Sequence, residues 1–325
     1  MHPATPADVV PPSPARRLAG PLTAAAVGVL LGSAAGFLGG WHWLLDLTTH
    51  FRWYWFLLAL GGLALAAALR RPAAALLCAA ALVINARDLL PYWLPAPPAA
   101  AAADRRPVRL AVMNVHRVNR TTAAALDHVR SRRPDVLAVL EVDDRWATAL
   151  ADLADVFPHR MIVPRPDNFG IAILSRWPLA DTRVAEFTAT GYPSLVATVR
   201  HEAGDFRFIA THPYPPFDGP ATVQLVAHLD GVAAEAAAST IPCVVAGDLN
   251  ATPWSRGFRR LVAAAGLRDT ALGLGVPGTY HAGLPAPRIP IDHVLVPAGS
   301  VVLRRGVGPA VGSDHFPVEA DVILP

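Results

Sequence analysis

Five short polar segments of the sequence carry the side chains that could do chemistry. Each follows an apolar run that is typical of a buried strand, such as VLAVL before Glu141 or CVVAG before Asp248. A buried carboxylate must be paired or bind a cation, and carboxylate and amide oxygens are the ligands that Mg²⁺ prefers. Such oxygens beside two imidazoles would suit phosphoryl chemistry, which needs charge neutralisation and an oriented water molecule. The candidate residues, in chain order, are Asn114, Glu141, His212, Asp248, Asn250, Asp292, Asp314 and His315.

None of these residues is informative alone. A histidine at a strand end is usually structural, and an Asp that follows Gly, as Asp248 does, commonly forms a turn or caps a helix. The informative feature is that Asn, Glu, His, Asp and Asp-His occur in this order, each at the end of a predicted strand. Strand ends are where α/β folds gather functional residues. The sequence therefore predicts one site that is assembled from several distant segments.

Four neighbouring residues have ordinary structural interpretations as well as functional ones. His116 could line the site, and Arg176 could reach a phosphate, although a solvated surface arginine is the commoner case. We expect Trp254 to pack in the interior. We expect His293 to point to the opposite face of its strand from Asp292, because side chains alternate along a strand.

The elements that must position the site lie in residues 108–325. Short β-branched runs alternate there with Ala/Leu/Arg-rich stretches, which predicts an α/β fold with mixed sheets. The predicted strands are Val108–Val115, Val136–Val142, Phe169–Leu174, Leu195–Arg200, Arg207–Thr211, Cys243–Ala246, Ile291–Val296 and Val318–Ile323. The predicted helices are Thr121–Ser131, Arg145–Leu153 and Ala221–Ala238.

An ordered set of motifs gives residues 108–325 a family resemblance. The segments are MNVH, LEV, GIAILSR, THP, GDLNATPWS, IDHVLV and GSDHFPV, and the pair GDLN and SDHFPV is highly specific. This set resembles the endonuclease/exonuclease/phosphatase superfamily, which includes deoxyribonucleases, abasic-site endonucleases, neutral sphingomyelinases and inositol polyphosphate 5-phosphatases. The resemblance implies a four-layered αββα sandwich with a metal-dependent phosphoesterase site at one edge of its two sheets.

The resemblance also implies a role for each candidate residue. Glu141 would be the acidic ligand of Mg²⁺ or Mn²⁺, with Asn114 and Asp314 beside the metal. Asp248 would orient or deprotonate the attacking water, and the Asn250 amide would donate to a phosphate oxygen. His315 would contact the scissile phosphate with Asp292 as its carboxylate partner, and His212 would be the second active-site histidine.

The first third of the chain has the composition of a membrane anchor. Residues 18–40 form an uncharged run long enough to span a bilayer, residues 53–69 form a second, and residues 72–86 form a third that can be extended to Trp93. We expect a tail (1–17), a transmembrane region of about three helices (18–95), a linker (96–107) and a catalytic domain (108–325). The alternatives are a two-span hairpin with an interfacial third run, or a cleaved signal peptide.

The number of spans decides the compartment. Arg16-Arg17 and Arg70-Arg71 flank the first two runs so that both pairs would lie in the cytoplasm. Three spans would then place the catalytic domain outside the cytoplasm, and two spans would place it inside. We expect a multi-pass protein of the cell membrane with an extracytoplasmic domain.

Composition restricts the substrate. The chain is 53% hydrophobic and 16% charged, and residues 108–325 hold 20 Arg against 21 Asp and Glu. A domain without a basic surplus lacks the usual electrostatic footprint of a nucleic-acid-binding protein. Two cysteines in separate regions predict neither a disulfide framework nor a thiolate metal site.

These observations predict a membrane-anchored phosphoesterase whose substrate is a lipid-linked phosphate at the cell envelope. The apolar stretch PYPPFDGP, which follows His212, supports this reading. The combination of anchor and domain also resembles bacterial membrane proteins associated with glycopeptide resistance. An extracytoplasmic nuclease acting on DNA and a catalytically silent, membrane-tethered binding module are the alternatives. The bilayer and a phosphorylated substrate are the expected partners, and no protein partner is predicted.

Overall fold

A computed structural model of the chain describes residues 19–95 and 106–325. The predicted tail and nearly all of the predicted linker lie outside these residues. The described part consists of a helical region followed by an α/β region of two sheets and flanking helices.

The helical region contains three helices that are long and apolar enough to cross a membrane, over Gly20–Leu38, Trp43–Ala68 and Pro72–Trp93. Their regular α-helical parts are α1 (Ala19–Ala35), α2 (Trp43–Leu47), α3 (Arg52–Ala68) and α4 (Pro72–Trp93). Short 3₁₀ turns at Gly36–Leu38 and Thr48–Phe51 separate α1, α2 and α3. Pro72 begins α4 at a position where its missing N–H costs nothing. The third apolar run therefore extends to Trp93 as a full-length helix.

Twelve strands form two six-stranded mixed sheets. The first has the order β11-β12-β1-β2-β4-β3 and the second the order β5-β6-β7-β8-β10-β9. In the first sheet the strands are β1 (Val108–Asn114), β2 (Val136–Leu140), β3 (His159–Val163), β4 (Ile171–Ser175), β11 (Val301–Val307) and β12 (Val318–Ile323). In the second they are β5 (Leu179–Glu186), β6 (Pro193–Val199), β7 (Phe206–Ala210), β8 (Cys243–Asp248), β9 (Leu267–Asp269) and β10 (Asp292–Pro297). Each sheet contains one parallel pair, β1 with β2 and β7 with β8.

Side-chain alternation along the strands builds four layers. In β1, Leu110 and Val112 face the core between the two sheets, whereas Ala111 and Met113 face the opposite side. That outer side is covered by α5 (Thr122–Arg132) and α6 (Asp144–Ala151). The outer side of the second sheet is covered by α7 (Gly219–Ala237) and α8 (Arg256–Ala264). The predicted αββα sandwich, preceded by a helical region, is confirmed.

The helical region packs directly against the second sheet and its helices. The indole of Trp254 donates to the carbonyl oxygen of Asp88 at 3.0 Å, and its ring meets Tyr92 edge-on. Arg259 pairs with the Asp88 carboxylate at 2.9 Å. The backbone N–H of Gly275 donates to the carbonyl oxygen of Tyr92 at 2.7 Å. These contacts fix the sandwich against the end of α4 instead of leaving it on a free tether.

Candidate functional site

The carboxyl ends of the two parallel strand pairs meet at one edge of the sandwich. Asn114 is the last residue of β1, Glu141 follows β2, His212 follows β7 closely, and Asp248 ends β8. β10 runs antiparallel to β8, and its first residue, Asp292, is the direct partner of Asp248 in the ladder. The sheet topology therefore brings together residues that are more than a hundred positions apart in sequence.

A chain of buried acidic and imidazole groups forms the centre of the site. Nδ1 of His315 lies 2.8 Å from Oδ2 of Asp292, and Nε2 of the same ring lies 3.6 Å from Oδ2 of Asp248. Nε2 of His212 lies 3.6 Å from the same Asp248 oxygen. All four side chains are buried. Asp248 is thus flanked by two imidazoles, and one of them is oriented by a second carboxylate.

Charge and burial shift the pKa values of His315, Asp248 and Asp292 in opposite directions. Burial lowers the pKa of the His315 imidazole, but the carboxylates of Asp292 and Asp248 outweigh it and raise the pKa to about 10. Burial raises the pKa of Asp248 above its ordinary value, although His315 opposes the shift. Burial also acts to raise the pKa of Asp292, but the charge and hydrogen bond of His315 hold that pKa below its ordinary value. The geometry therefore favours an imidazolium at His315 between two carboxylates.

Asn114 joins this chain to the second acidic group of the site. Its amide Nδ2 donates to Oε1 of Glu141 at 3.0 Å and to Oδ2 of Asp248 at 3.2 Å. Its Oδ1 accepts the backbone N–H of His116 at 2.9 Å. The side-chain oxygen of Asn114 thus accepts one hydrogen bond, and its amide nitrogen positions the two carboxylates.

The donor set around Glu141 fits a hard divalent cation. Glu141 is 7% exposed, and in the described part of the chain its carboxylate accepts from the Asn114 amide and from the backbone N–H of Arg117. Within residues 19–95 and 106–325, no cationic side chain forms an ion pair with it, and an unpaired buried carboxylate is costly. Asp314 lines the same cavity with its carboxylate. Glu141 and Asp314 could therefore hold the ion through oxygen ligands.

Asp248, Asp292 and His315 also lie close enough together to hold a metal ion. Both ring nitrogens of His315 face carboxylates, and its raised pKa favours the protonated ring, which cannot ligate a metal. We therefore interpret this group as an ion-paired chain and consider the oxygens of Glu141 and Asp314 the better cation site.

Unusual backbone conformations hold several of these side chains in place. Glu141, His116 and Asn250 have positive φ angles of 63°, 54° and 48°, which non-glycine residues rarely adopt and which cluster at functional sites. A Cβ on Gly247 would lie 1.9 Å from the carbonyl oxygen of Thr211, so only glycine lets β7 and β8 approach next to Asp248. Asn250 donates its amide to the carbonyl oxygen of Pro213 at 2.9 Å, which leaves one amide hydrogen for a ligand.

The structure brings all eight predicted site residues to this edge of the sandwich. Six of them line a cavity of about 850 Å³: Glu141, His212, Asp248, Asn250, Asp314 and His315. The other two, Asn114 and Asp292, lie behind the cavity wall and hold the lining side chains by hydrogen bonds.

The neighbouring candidates fall into two groups. His116 lines the cavity, with its Nδ1 at 3.4 Å from Oδ1 of Asp314. Arg176 instead pairs with the buried Asp135 at 2.7 Å, and Nε2 of His293 lies 2.9 Å from the carbonyl oxygen of Ala251. Trp254 is buried against the end of α4. The last three have structural contacts outside the site.

Several residues in or beside the cavity were not among the predicted site residues. Tyr280 lies in a loop without periodicity, yet its ring centroid is 4.8 Å from that of His315. Phe169, Tyr192 and Tyr214 form an aromatic stack beside the site, with Phe169 and Tyr192 only 3.7 Å apart. Trp43, Leu47 and His50 of the helical region also line the cavity. These segments are distant in sequence, and only folding brings them together.

The solved structures of other proteins share this architecture. An endonuclease/exonuclease/phosphatase from Beutenbergia cavernae DSM 12333 superposes with a TM-score of 0.56 at 25% identity, over 68% of this chain and 72% of that one. TDP2 of D. rerio, humanized by 14 mutations, has a TM-score of 0.56 at 15% identity, over 67% and 99% of the two chains. Sphingomyelinase C from Streptomyces griseocarneus has a TM-score of 0.50 at 18% identity, over 67% and 99%.

Sequence comparison gives the family directly. No curated protein matches the chain. The sequence model of the endonuclease/exonuclease/phosphatase family matches residues 111–315, which begin in β1 and end at His315. This match covers more than half of the chain and spans every candidate residue of the site. The chain therefore belongs to the endonuclease/exonuclease/phosphatase family.

Proposed function

We propose that the chain is a divalent-metal-dependent phosphoesterase that hydrolyses a lipid-linked phosphate at a membrane surface. The observation that carries the reaction class is the buried series Asp292–His315–Asp248–His212 at the cavity, joined to the carboxylate of Glu141 through the amide of Asn114. This combination suits phosphoryl transfer, which depends on positioning and charge.

Each residue has a role that follows from its contacts. Asp248 accepts the proton of the attacking water, because burial raises the pKa of this carboxylate toward the useful range for a base. His315 presents an imidazolium to the charge that grows on the phosphate, and Asp292 orients it. His212 and the free amide hydrogen of Asn250 donate to the remaining phosphate oxygens. Glu141 and Asp314 hold Mg²⁺ or Mn²⁺, which supplies Lewis acidity when bound.

The lipid-linked substrate class is supported by the surroundings of the site. The sandwich packs against three helices that are long and apolar enough to cross a membrane. Apolar and aromatic groups, such as Tyr214 and Phe217, line one side of the cavity. The α/β region has no basic surplus, which disfavours bulk nucleic acid. We further propose three spans, with the catalytic region on the extracytoplasmic side.

A direct comparison of substrates tests this function. The full chain in nanodiscs with Mg²⁺ is assayed on undecaprenyl diphosphate, dioleoyl phosphatidylglycerol and plasmid DNA, with His315→Ala as the blank. We expect turnover of a lipid substrate that the blank lacks. Cleavage of DNA alone would refute the lipid assignment, and equal rates in the blank would refute the site.

A tethered nuclease is the second candidate, and one observation favours it. The stacked rings of Phe169, Tyr192 and Tyr214 offer a platform of the kind on which bases stack in single-stranded nucleic acid. A catalytically silent binding module is disfavoured, because every position that the motifs match holds a residue type suited to the chemistry.

A further inference from the structure

We infer that residues 39–51, which run from the end of the first candidate span to the start of α3, complete the active site and bind the hydrocarbon tail of the substrate. This segment is called the inter-span segment below. The inference rests on the proposed function and adds a tail-binding subsite, formed by Trp43 and Leu47 together with Tyr214, Pro216 and Phe217.

The cavity is lined by two chemically different groups of residues. One group holds the polar side chains of the reaction, including Glu141, Asp248 and His315, which are buried. The other group consists of Trp43 and Leu47 of the inter-span segment and the apolar residues of the loop that follows His212. The cavity is therefore amphiphilic; the first group is called the catalytic end and the second the apolar end.

The inter-span segment is fixed to the sandwich by specific contacts. The buried carboxylate of Asp46 accepts the backbone N–H of Arg256 at 3.0 Å, which joins the segment to the first turn of α8. A Cβ on Gly219 would lie 3.3 Å from Cδ1 of Trp43, so the indole rests against the start of α7. These contacts hold the apolar wall at a defined position relative to the catalytic groups.

Chain topology places the apolar end at the membrane surface. The inter-span segment runs from the end of the first candidate span into the first turns of the second, which begins at Trp43, so it lies near one face of the bilayer. The third span ends on the same face, at Trp93, because consecutive spans alternate in direction. Trp41 of the inter-span segment and Phe217 of the cavity lining are 83% and 73% exposed, and exposed aromatic side chains suit the membrane interface.

The apolar end suits a hydrocarbon chain better than a polyanion. Among the described residues that line the cavity, the one arginine is Arg117. It lies at the catalytic end, where its backbone N–H donates to Glu141 and its side chain donates to Asn168. A nucleic-acid strand leaving the site would require cationic groups along its path, whereas an isoprenoid or acyl chain gains from burial against Trp43 and Phe217.

The test compares long and short tails on the same reacting group. Full-length protein in nanodiscs with Mg²⁺ is assayed on two matched pairs: undecaprenyl with geranyl diphosphate, and dioleoyl with dihexanoyl phosphatidylglycerol. The readout is the ratio of kcat/KM for the long-chain member to that for the short-chain member. Trp43→Ala and Phe217→Ser are the test variants, and Phe217→Ser protects against a folding defect because this side chain is largely exposed.

We expect both variants to lower the long-to-short ratio by about tenfold, from the loss of apolar contact with the tail. Val83→Ala is the matched control, since Val83 is 72% exposed on α4 and does not line the cavity. It should leave the ratio unchanged. A ratio that stays at the wild-type value in both test variants would overturn the inference. Failure of the proposed function looks different, because wild-type protein would then hydrolyse neither pair.

Discussion

Replacement of Asp292 by asparagine removes one charge from the centre of the site and preserves its shape. In the wild-type protein, burial lowers the pKa of His315, and the carboxylates of Asp292 and Asp248 raise it to about 10. The wild-type imidazole is therefore protonated across the neutral range. In Asp292→Asn the nearest counter-charge is lost, burial dominates, and we expect the pKa of His315 to fall.

The size of the effect follows from the protonation state of His315. A neutral ring would no longer present a cationic donor to the charge that grows on the phosphate, and losing one preorganised donor of this kind costs about 10²–10³ in kcat. We therefore expect kcat at neutral pH to fall by about two to three orders of magnitude. Because the His315 ring of the variant is protonated again at lower pH, the variant should recover part of its rate as the pH falls from about 8 to about 6. The wild-type rate should not rise over that interval.

The control is Asp269→Asn. Asp269 is equally buried, and its Oδ2 lies 3.6 Å from Nδ1 of His293, so the variant also removes a carboxylate beside an imidazole. It does not line the cavity, and we expect lower stability with an unchanged pH profile. Initial rates across the pH range, together with NMR titration of the His315 ring, provide the measurement. An Asp292→Asn enzyme with wild-type pH dependence and a rate within about threefold would refute the role given to this pair.

Three further predictions concern the metal site, the first sheet and the approach of β7 to β8. Glu141→Gln should raise the Mg²⁺ concentration for half-maximal activity by about 10- to 100-fold, and EDTA should abolish wild-type activity; metal-independent turnover would contradict this. Burial acts to raise the pKa of Glu319, but the hydrogen bond from His128 and the charge of Arg132 hold it below its ordinary 4.5. The resulting stability is about 1 kcal/mol for partners this exposed. It is present at neutral pH and lost as the pH falls below about 4.5. Glu319→Gln should therefore lower the unfolding temperature at neutral pH and flatten its dependence on acid pH. Gly247→Ala should cost about 1–3 kcal/mol from overpacking against Thr211, and an unchanged unfolding temperature would show that the strands can separate there.

The interior strands of the two sheets can be predicted from the sequence, and the edge strands cannot. The eight predicted strands are all interior members of the two sheets. The four strands that the sequence pattern does not predict are the four sheet edges, β3, β5, β9 and β11. The edge strands β3, β5 and β11 are only partly buried, so they lack the continuous apolar run that identifies a buried strand. β9 is only three residues long, which is too short for a recognisable pattern.

The polar members of the site could be predicted because each lies next to a recognisable apolar strand, and their order along the chain is itself a signal. Their roles as ligand, base and phosphate donor stay predictions. The apolar wall could be predicted only in part. Phe217 lies in the apolar stretch PYPPFDGP, which the sequence singles out after His212, but Trp43 lies in a segment that only the docking of the helices on the sandwich brings to the cavity. Tyr280 could not be predicted either, because its loop has no periodicity and its position depends on the contact with His315.

The central claim is that this family member hydrolyses a phosphoester of a membrane lipid. The most direct test follows the phosphorus NMR spectrum of nanodiscs that contain the full chain and a bacterial membrane-lipid extract, with Mg²⁺ and plasmid DNA in the same sample. We predict that one lipid phosphorus resonance is lost and a product resonance appears, and that Asp248→Asn or EDTA prevents this change. An unchanged lipid spectrum in a sample that cleaves the plasmid would contradict the account.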